Sequence, residues 1–216
     1  VIIADTFPPN SNSGAVQLRD LSKQLVNIGC KLTIIVPNDS GSKPVTIESR
    51  GQLTIMRIRL PGLGGNKLFG RAIREISMPF FMLWHLRRST VWFNKFDGVI
   101  WYSPSIFLGP VAHVLKWKST CKSYLILRDI FPDWAADLGI IRKGLVYYFF
   151  KLVAFYQYYL ADTIGVQTAS ALRLFEWKER RSKGSVEVLA NWLGKEGKKV
   201  CPINIGNTPL RGRTIL

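Results

Sequence analysis

Acidic residues are scarce in this chain. Fourteen Asp and Glu stand against 30 Lys and Arg, a formal charge of +16 over 216 residues. That balance tells against a cationic partner. It favours a polyanionic one, such as nucleic acid, an anionic membrane surface or a diphosphate-bearing substrate. Cysteine is rarer still: Cys30, Cys121 and Cys201 are odd in number, far apart and without metal-ligand spacing. This argues against a disulfide framework or zinc site and fits free thiols in a reducing compartment. The two histidines, His85 and His113, stand alone, so no metal site is expected. The G-x-G-x-x-G fingerprint is absent, which removes the main support for a nicotinamide enzyme. There is no internal repeat, and Val1–Asp5 is too short for the apolar core of a signal peptide. Long apolar runs are missing too. The nearest, Gly144–Ala161, is broken by Lys151 and Gln157 and carries five tyrosines. A span needs about 20 apolar residues, and Tyr favours interfaces over bilayer centres. We expect a helix buried in, or lying against, an α/β domain.

What is present is alternation. Strand patterns at Val1–Ala4, Leu32–Val36, Leu53–Leu60, Gly98–Tyr102, Ser123–Leu127, Thr163–Val166 and Val186–Leu189 alternate with helix patterns at Gly14–Gly29, Ile106–Lys116, Lys143–Leu160 and Ala169–Arg180. Repeated β-α-β units at this spacing predict an α/β fold with a doubly wound, Rossmann-like parallel sheet. Pro37 is expected to end the second strand, and Leu53–Leu60 to form an edge or half-exposed strand. Gly194–Gly212, rich in Lys, Gly, Pro and Asn, reads as a linker. The domain expected is therefore 1–192, with 193–216 leading into a second, truncated one. Val1 opens inside an apolar strand and Arg213–Leu216 stops as another begins, so the sequence reads as cut at both ends.

Three segments carry candidate chemistry. Phe7-Pro8-Pro9-Asn10-Ser11-Asn12-Ser13-Gly14 lies between the first strand and first helix, where small residues let a ligand approach the backbone and a helix N-terminus can receive an anion. Its plainer reading is a capped turn with a tightly packed Gly. Arg128-Asp129-Ile130-Phe131-Pro132-Asp133 follows a buried strand, and ligands of parallel sheets bind beyond the carboxyl ends of strands. Asp129 is placed to face a substrate, Arg128 can meet phosphate in bidentate fashion, and Asp133 can cap a following helix. Lys67–Phe96 interleaves Lys67, Arg71, Arg74, Arg87, Arg88 and Lys95 with aromatics and a single acid, Glu75. That mixture suits a membrane surface, with Lys67, Arg71, Arg74, Arg87 and Arg88 facing it. A basic nucleic-acid-binding module is the main alternative. It lacks RRM, KH, zinc and helix-turn-helix signatures, so no nucleic-acid partner is expected.

Taken together, these pieces resemble the N-terminal half of a GT-B glycosyltransferase of the group 1 type (family four), particularly bacterial O-antigen and capsule enzymes of the L-fucosamine-transferase kind. The matching residues are Phe7-Pro8-Pro9 with Gly14 and Gln17, Leu18-Arg19-Asp20-Leu21, Gly29-Cys30-Lys31-Leu32-Thr33, Arg128–Asp133, Val188-Leu189-Ala190-Asn191-Trp192, and the tail Asn204–Gly212. The resemblance implies retaining transfer of a sugar from a nucleotide-sugar donor, UDP-linked, to a polyprenyl-diphosphate-linked acceptor, at the inner face of the bacterial plasma membrane. It implies no cofactor beyond the donor as substrate, and a missing C-terminal domain that holds most of that donor. By the same resemblance Gly14 sits under the donor diphosphate, and Asp129 contacts the acceptor or the transferring sugar as the catalytic residue. Arg128 and Asp133 bind substrate, and Asn191 lies near the interdomain hinge. Many relatives have His-Asp where this chain has Arg128-Asp129.

Overall fold

A computed structural model describes residues 1–38, 43–61, 67–181 and 184–192, without the side chains of 67–69, 71, 72, 179 and 181. The strands are β1 (Ile2–Ile3), β2 (Leu32–Asn38), β3 (Val45–Arg50), β4 (Leu53–Arg59), β5 (Gly98–Ser103), β6 (Lys122–Leu127), β7 (Thr163–Val166) and β8 (Ser185–Val188). They form one eight-stranded sheet in the order β3-β4-β2-β1-β5-β6-β7-β8. All pairs are parallel except β3 with β4. The helices are α1 (Ser13–Asn27), α2 (Lys67–Arg87), α3 (Gly109–Ser119), α4 (Asp133–Asp137), α5 (Leu145–Leu160), α6 (Ala169–Leu172) and α7 (Glu176–Arg181).

Side chains alternate between the two faces of the sheet. Ile3, Ile35, Met56, Trp101, Leu125 and Ile164 point to one face, where α2, α3 and α5 cover them with Met82, Leu115 and Ala154. Ile2, Ile34, Ile55, Tyr102 and Ile126 point to the other, and Leu18 of α1 packs on them. Helices thus lie on both faces, but unevenly: α1 is the one described helix in the second layer.

Local chemistry explains the ends of α1. Asn12 caps it, its Oδ1 accepting from Ala15 N at 2.8 Å. Gly29, at φ 93°, ends it, with Gly29 N–H bonding Val26 O and Cys30 N–H bonding Leu25 O, both at 2.9 Å. That is the paired closure that glycine's left-handed conformation permits.

Two expectations are corrected. Leu53–Leu60 is half-exposed, as one of the two alternatives had it, but not at the edge, because residues 45–50, which the sequence pattern did not reveal, form β3 outside it through a two-residue turn at Gly51-Gln52. Nor does Pro37 end β2, which runs on to Asn38 against β4. β1 pairs only with Ile34 and Ile35, so Pro37 lies beyond that ladder, where its missing N–H removes no bond.

Candidate functional site

The sheet order creates a crevice. From β1 the chain moves outward through β2, β3 and β4, then returns through α2 to β5 on the other side of β1. The loops after β1 and β5 therefore diverge, and ligands of open parallel sheets bind in that gap at the strands' carboxyl ends. The loop after β1 is tied to itself, with Asn10 and Asn12 both donating to Thr6 Oγ1 (3.3 and 3.1 Å). From β4, Arg57 donates to Pro8 O. Gly14 is buried at the start of α1. A methyl group there would lie 3.2 Å from both Thr6 Cγ2 and Tyr102 Cε1, so its smallness brings the helix terminus onto Tyr102.

Arg128 and Asp129 leave the end of β6 in different directions. The Arg128 backbone is fixed by Arg128 N–H to Ser103 O (3.1 Å) and by Gln167 Nε2 donating to Arg128 O. Its guanidinium carbon sits 5.7 Å from the centre of the Trp192 ring. Among the described residues Arg128 Nη1 is buried without a hydrogen-bond partner. A buried donor left unpaired carries a desolvation penalty that an anionic ligand would remove. Burial raises the Tyr102 phenol above its ordinary value, and the neighbouring Arg128 charge opposes this.

Tyr102 belongs to a hub that joins three elements. Tyr102 OH donates to Gln17 Oε1 (3.0 Å) and Gln17 Nε2 donates to Asn191 Oδ1 (3.2 Å). Trp192 Nε1 donates to Gln17 O (3.1 Å). Asn191, exposed beyond β8, is thereby held to α1. Gln17 was quoted in the sequence only as part of the resemblance, and its hub role needed the fold, because it joins positions more than 80 residues apart.

Asp129 is exposed and lines a cavity of about 440 Å³ with Asp5, Glu75, Ser105, Phe131 and Trp134. An adjoining cavity of about 270 Å³ shares Asp5, Glu75 and Ser105 and adds Arg74. Sequence reasoning missed Asp5, Glu75 and Ser105, which come from the β1 end, α2 and the β5 end. Asp5 directly follows the first strand, which was the one available signal. Arg74, expected at the membrane, is half-buried and lines the crevice side of α2. Among the described residues no cluster of His, Cys, Asp and Glu is placed to hold a metal. A larger cavity, about 970 Å³, lies elsewhere, between α1 and the β3–β4 hairpin. We place the site at the crevice, because the 970 Å³ groove is rimmed by side chains such as Arg50 that extend into solvent.

Asp133 does not cap α4 through its side chain. It forms a clasp with α5 instead, accepting from Tyr147 OH at 2.6 Å and Lys151 Nζ at 2.7 Å. Burial pushes its carboxyl up, but the hydrogen bonds from Lys151 and Tyr147 and the charges of Lys151 and Lys143 outweigh this and hold it below the ordinary value. Lys151 is correspondingly raised: burial lowers it, and the Asp133 contacts more than compensate. A depressed carboxyl stabilises the fold above its unfolded value and loses that contribution as pH falls through the folded one. Below about pH 4 the clasp should weaken, which hydrogen exchange at residues 128–138 would show as faster opening, whereas Asp133→Asn should lack this acid-dependent step.

Arg87 and Arg88 are exposed at the end of α2, with Arg88 stacked 3.8 Å over the Trp84 ring. The side chains of Lys67 and Arg71 lie outside the described residues, as do Cys201 and the expected linker.

No family model matches the chain, and no curated protein matches it in sequence. Solved structures do match in shape. An E. coli trehalose-6-phosphate protein bound with UDP-2-fluoro glucose aligns over 81% of this chain and 41% of its own, at 13% identity and TM-score 0.51. LpCGTa in complex with UDP aligns over 90% of this chain and 54% of its own, at 12% identity and TM-score 0.56. A sucrose-phosphate synthase from Thermosynechococcus elongatus aligns over 89% and 88%, at 11% identity and TM-score 0.52. These neighbours are GT-B glycosyltransferases. The fold is their Rossmann-like α/β fold. The chain spans about half the length of the first two.

Proposed function

We propose that this chain is the acceptor-binding side of a retaining glycosyltransferase that moves a sugar from a UDP-linked donor to a polyprenyl-diphosphate-linked acceptor in O-antigen or similar polysaccharide assembly. Residues 1–192 form that side, and 193–216 lead toward a donor-binding lobe. The carrying observation is the exposed Asp129 carboxylate at the lip of the 440 Å³ cavity; the residue before it, Arg128, has a buried Nη1 with no acceptor among the described residues. The UDP and UDP-sugar seen in two neighbours of the same fold support a nucleotide-sugar donor.

In this reading Asp129 accepts a hydrogen bond from the acceptor hydroxyl, whose oxygen bonds to the anomeric carbon on the same face from which the donor phosphate departs, so that configuration is retained. The hydroxyl proton leaves through Asp129 and the nucleoside diphosphate departs. Arg128 faces a phosphate, the α1 terminus at Gly14 lies beside the donor diphosphate, and Asn191 anchors the segment leading out of the domain. Asp133 acts on substrate by holding the loop rather than by touching it. The test is transfer of labelled sugar from a panel of UDP-sugars into lipid-extractable product by the full-length protein. Binding of UDP-sugar with no product on any polyprenyl-diphosphate sugar would overturn the reading.

The same proposal seats the protein on the inner face of the plasma membrane. No described helix is long and apolar enough to cross a membrane. Among the described side chains, Arg87 at the end of α2 and Arg88 just after it are exposed cations that would meet anionic headgroups. Replacing both by Gln should weaken binding to anionic vesicles roughly thirtyfold at low salt, because each such cation contributes about 1 kcal/mol. The difference should shrink as salt screens it.

A further inference from the structure

α5 is nearly charge-free, and its outer side chains are not buried. Leu145 is 92% exposed, Leu152 68%, Tyr148 63% and Tyr159 59%. Its lone cation, Lys151, is engaged by Asp133. Beside it on α3, Trp117 is 78% exposed, and Phe80 on α2 is 71% exposed. α2 touches α3 and α3 touches α5, so these side chains belong to one layer. Soluble monomers seldom leave so broad an apolar surface uncovered.

The charges around this surface decide what covers it. Among the described residues, Arg142 and Lys143 are exposed just before α5 and Arg87 and Arg88 at the end of α2, while Leu138–Ala161 contains no acid at all. A second copy docking through the same patch would oppose these cations to their own equivalents, since a two-fold interface pairs a surface with itself. An anionic bilayer instead supplies the opposite charge together with a hydrocarbon boundary. Tyr, Trp and Phe mixed with Leu match the depth at which an interfacial helix lies. We infer that the outer face of α5 inserts into the headgroup region of an anionic bilayer. This rests on the membrane reading above and deepens it, because the sequence assigned attachment to the cations of α2 and expected α5 to be packed. Through the Lys151–Asp133 clasp, the helix that enters the lipid also holds the loop bearing Asp129.

The test is vesicle flotation of the full chain with Leu145→Asp and Leu152→Asp combined, beside the Arg87→Gln, Arg88→Gln pair, on phosphatidylcholine vesicles with and without phosphatidylglycerol. Both leucines are exposed, so the thermal midpoint should not move. The leucine pair should reduce binding by about tenfold or more, and high salt should not abolish the difference. If the leucine variant floats like wild type while the arginine variant is released, the α5 inference fails and the membrane reading stands. If wild type does not float on anionic vesicles, the membrane reading itself fails. If the leucine pair turns a dimer into a monomer in sedimentation without changing flotation, the face is a protein interface and the inference is overturned.

Discussion

Trp101→Ala is expected to lower the unfolding free energy by about 3–5 kcal/mol, the range for deleting a large buried aromatic. Trp101 lies in β5 at 1% exposure, in the layer shared by α2, α3 and α5. Its indole N–H donates to Gln157 Oε1 at 3.3 Å. Gln157 is fully buried and its Nε2 lacks a partner among the described residues. Removing the indole would leave both ends of that amide unsatisfied, which adds to the cavity term. Trp101→Phe keeps most of the volume but loses the hydrogen bond, so it should fall between wild type and Trp101→Ala. Urea titration with an unchanged slope would read the difference directly. A loss below about 1 kcal/mol for the alanine variant would mean that α5 does not lean on β5 as described. Since α5 carries the Lys151 half of the clasp on Asp133, the alanine variant should also loosen the loop that bears Arg128 and Asp129.

The second large effect concerns turnover and not stability. If the proposed transfer holds, Asp129→Asn in the full-length protein is expected to reduce kcat/KM by about a hundredfold or more, the scale of losing a group that moves a proton in the transition state. Asp129 is exposed, so its thermal midpoint should shift by no more than an ordinary surface substitution does. Arg128→Ala is a useful contrast. It removes a half-buried guanidinium that sits over Trp192, so it should weaken phosphate-dependent binding and also disturb the Gln17 hub. Near-normal turnover in Asp129→Asn would remove that carboxylate from the chemistry, whatever Arg128 does.

Much of this could be read in the residue order. Short apolar runs, with alternation at Leu53–Leu60, gave seven of the eight strands, because a strand buried on both faces has few other compositions open to it. β3 escaped because Val45–Arg50 is half solvent-exposed and carries Glu48 and Arg50, so its apolar signal is weak. The helix stop at Gly29 was legible because only a left-handed residue closes α1 there. Arg128 and Asp129 were legible as candidates because charge directly after a buried strand is hard to explain by packing.

The sequence by itself determined the α/β alternation, the basic surface and the position of the Arg128–Asp133 loop after β6. These depend on local pattern, which neighbours along the chain encode. Only the tertiary structure decided that Asp5, Glu75 and Asp129 share one cavity, that Gln17 joins Tyr102 to the Asn191–Trp192 segment, and that α5 turns an apolar face outward. Each depends on which elements the sheet order brings together across tens of residues. A helix apolar on nearly every side gives no periodic clue to which of its faces the sheet will cover.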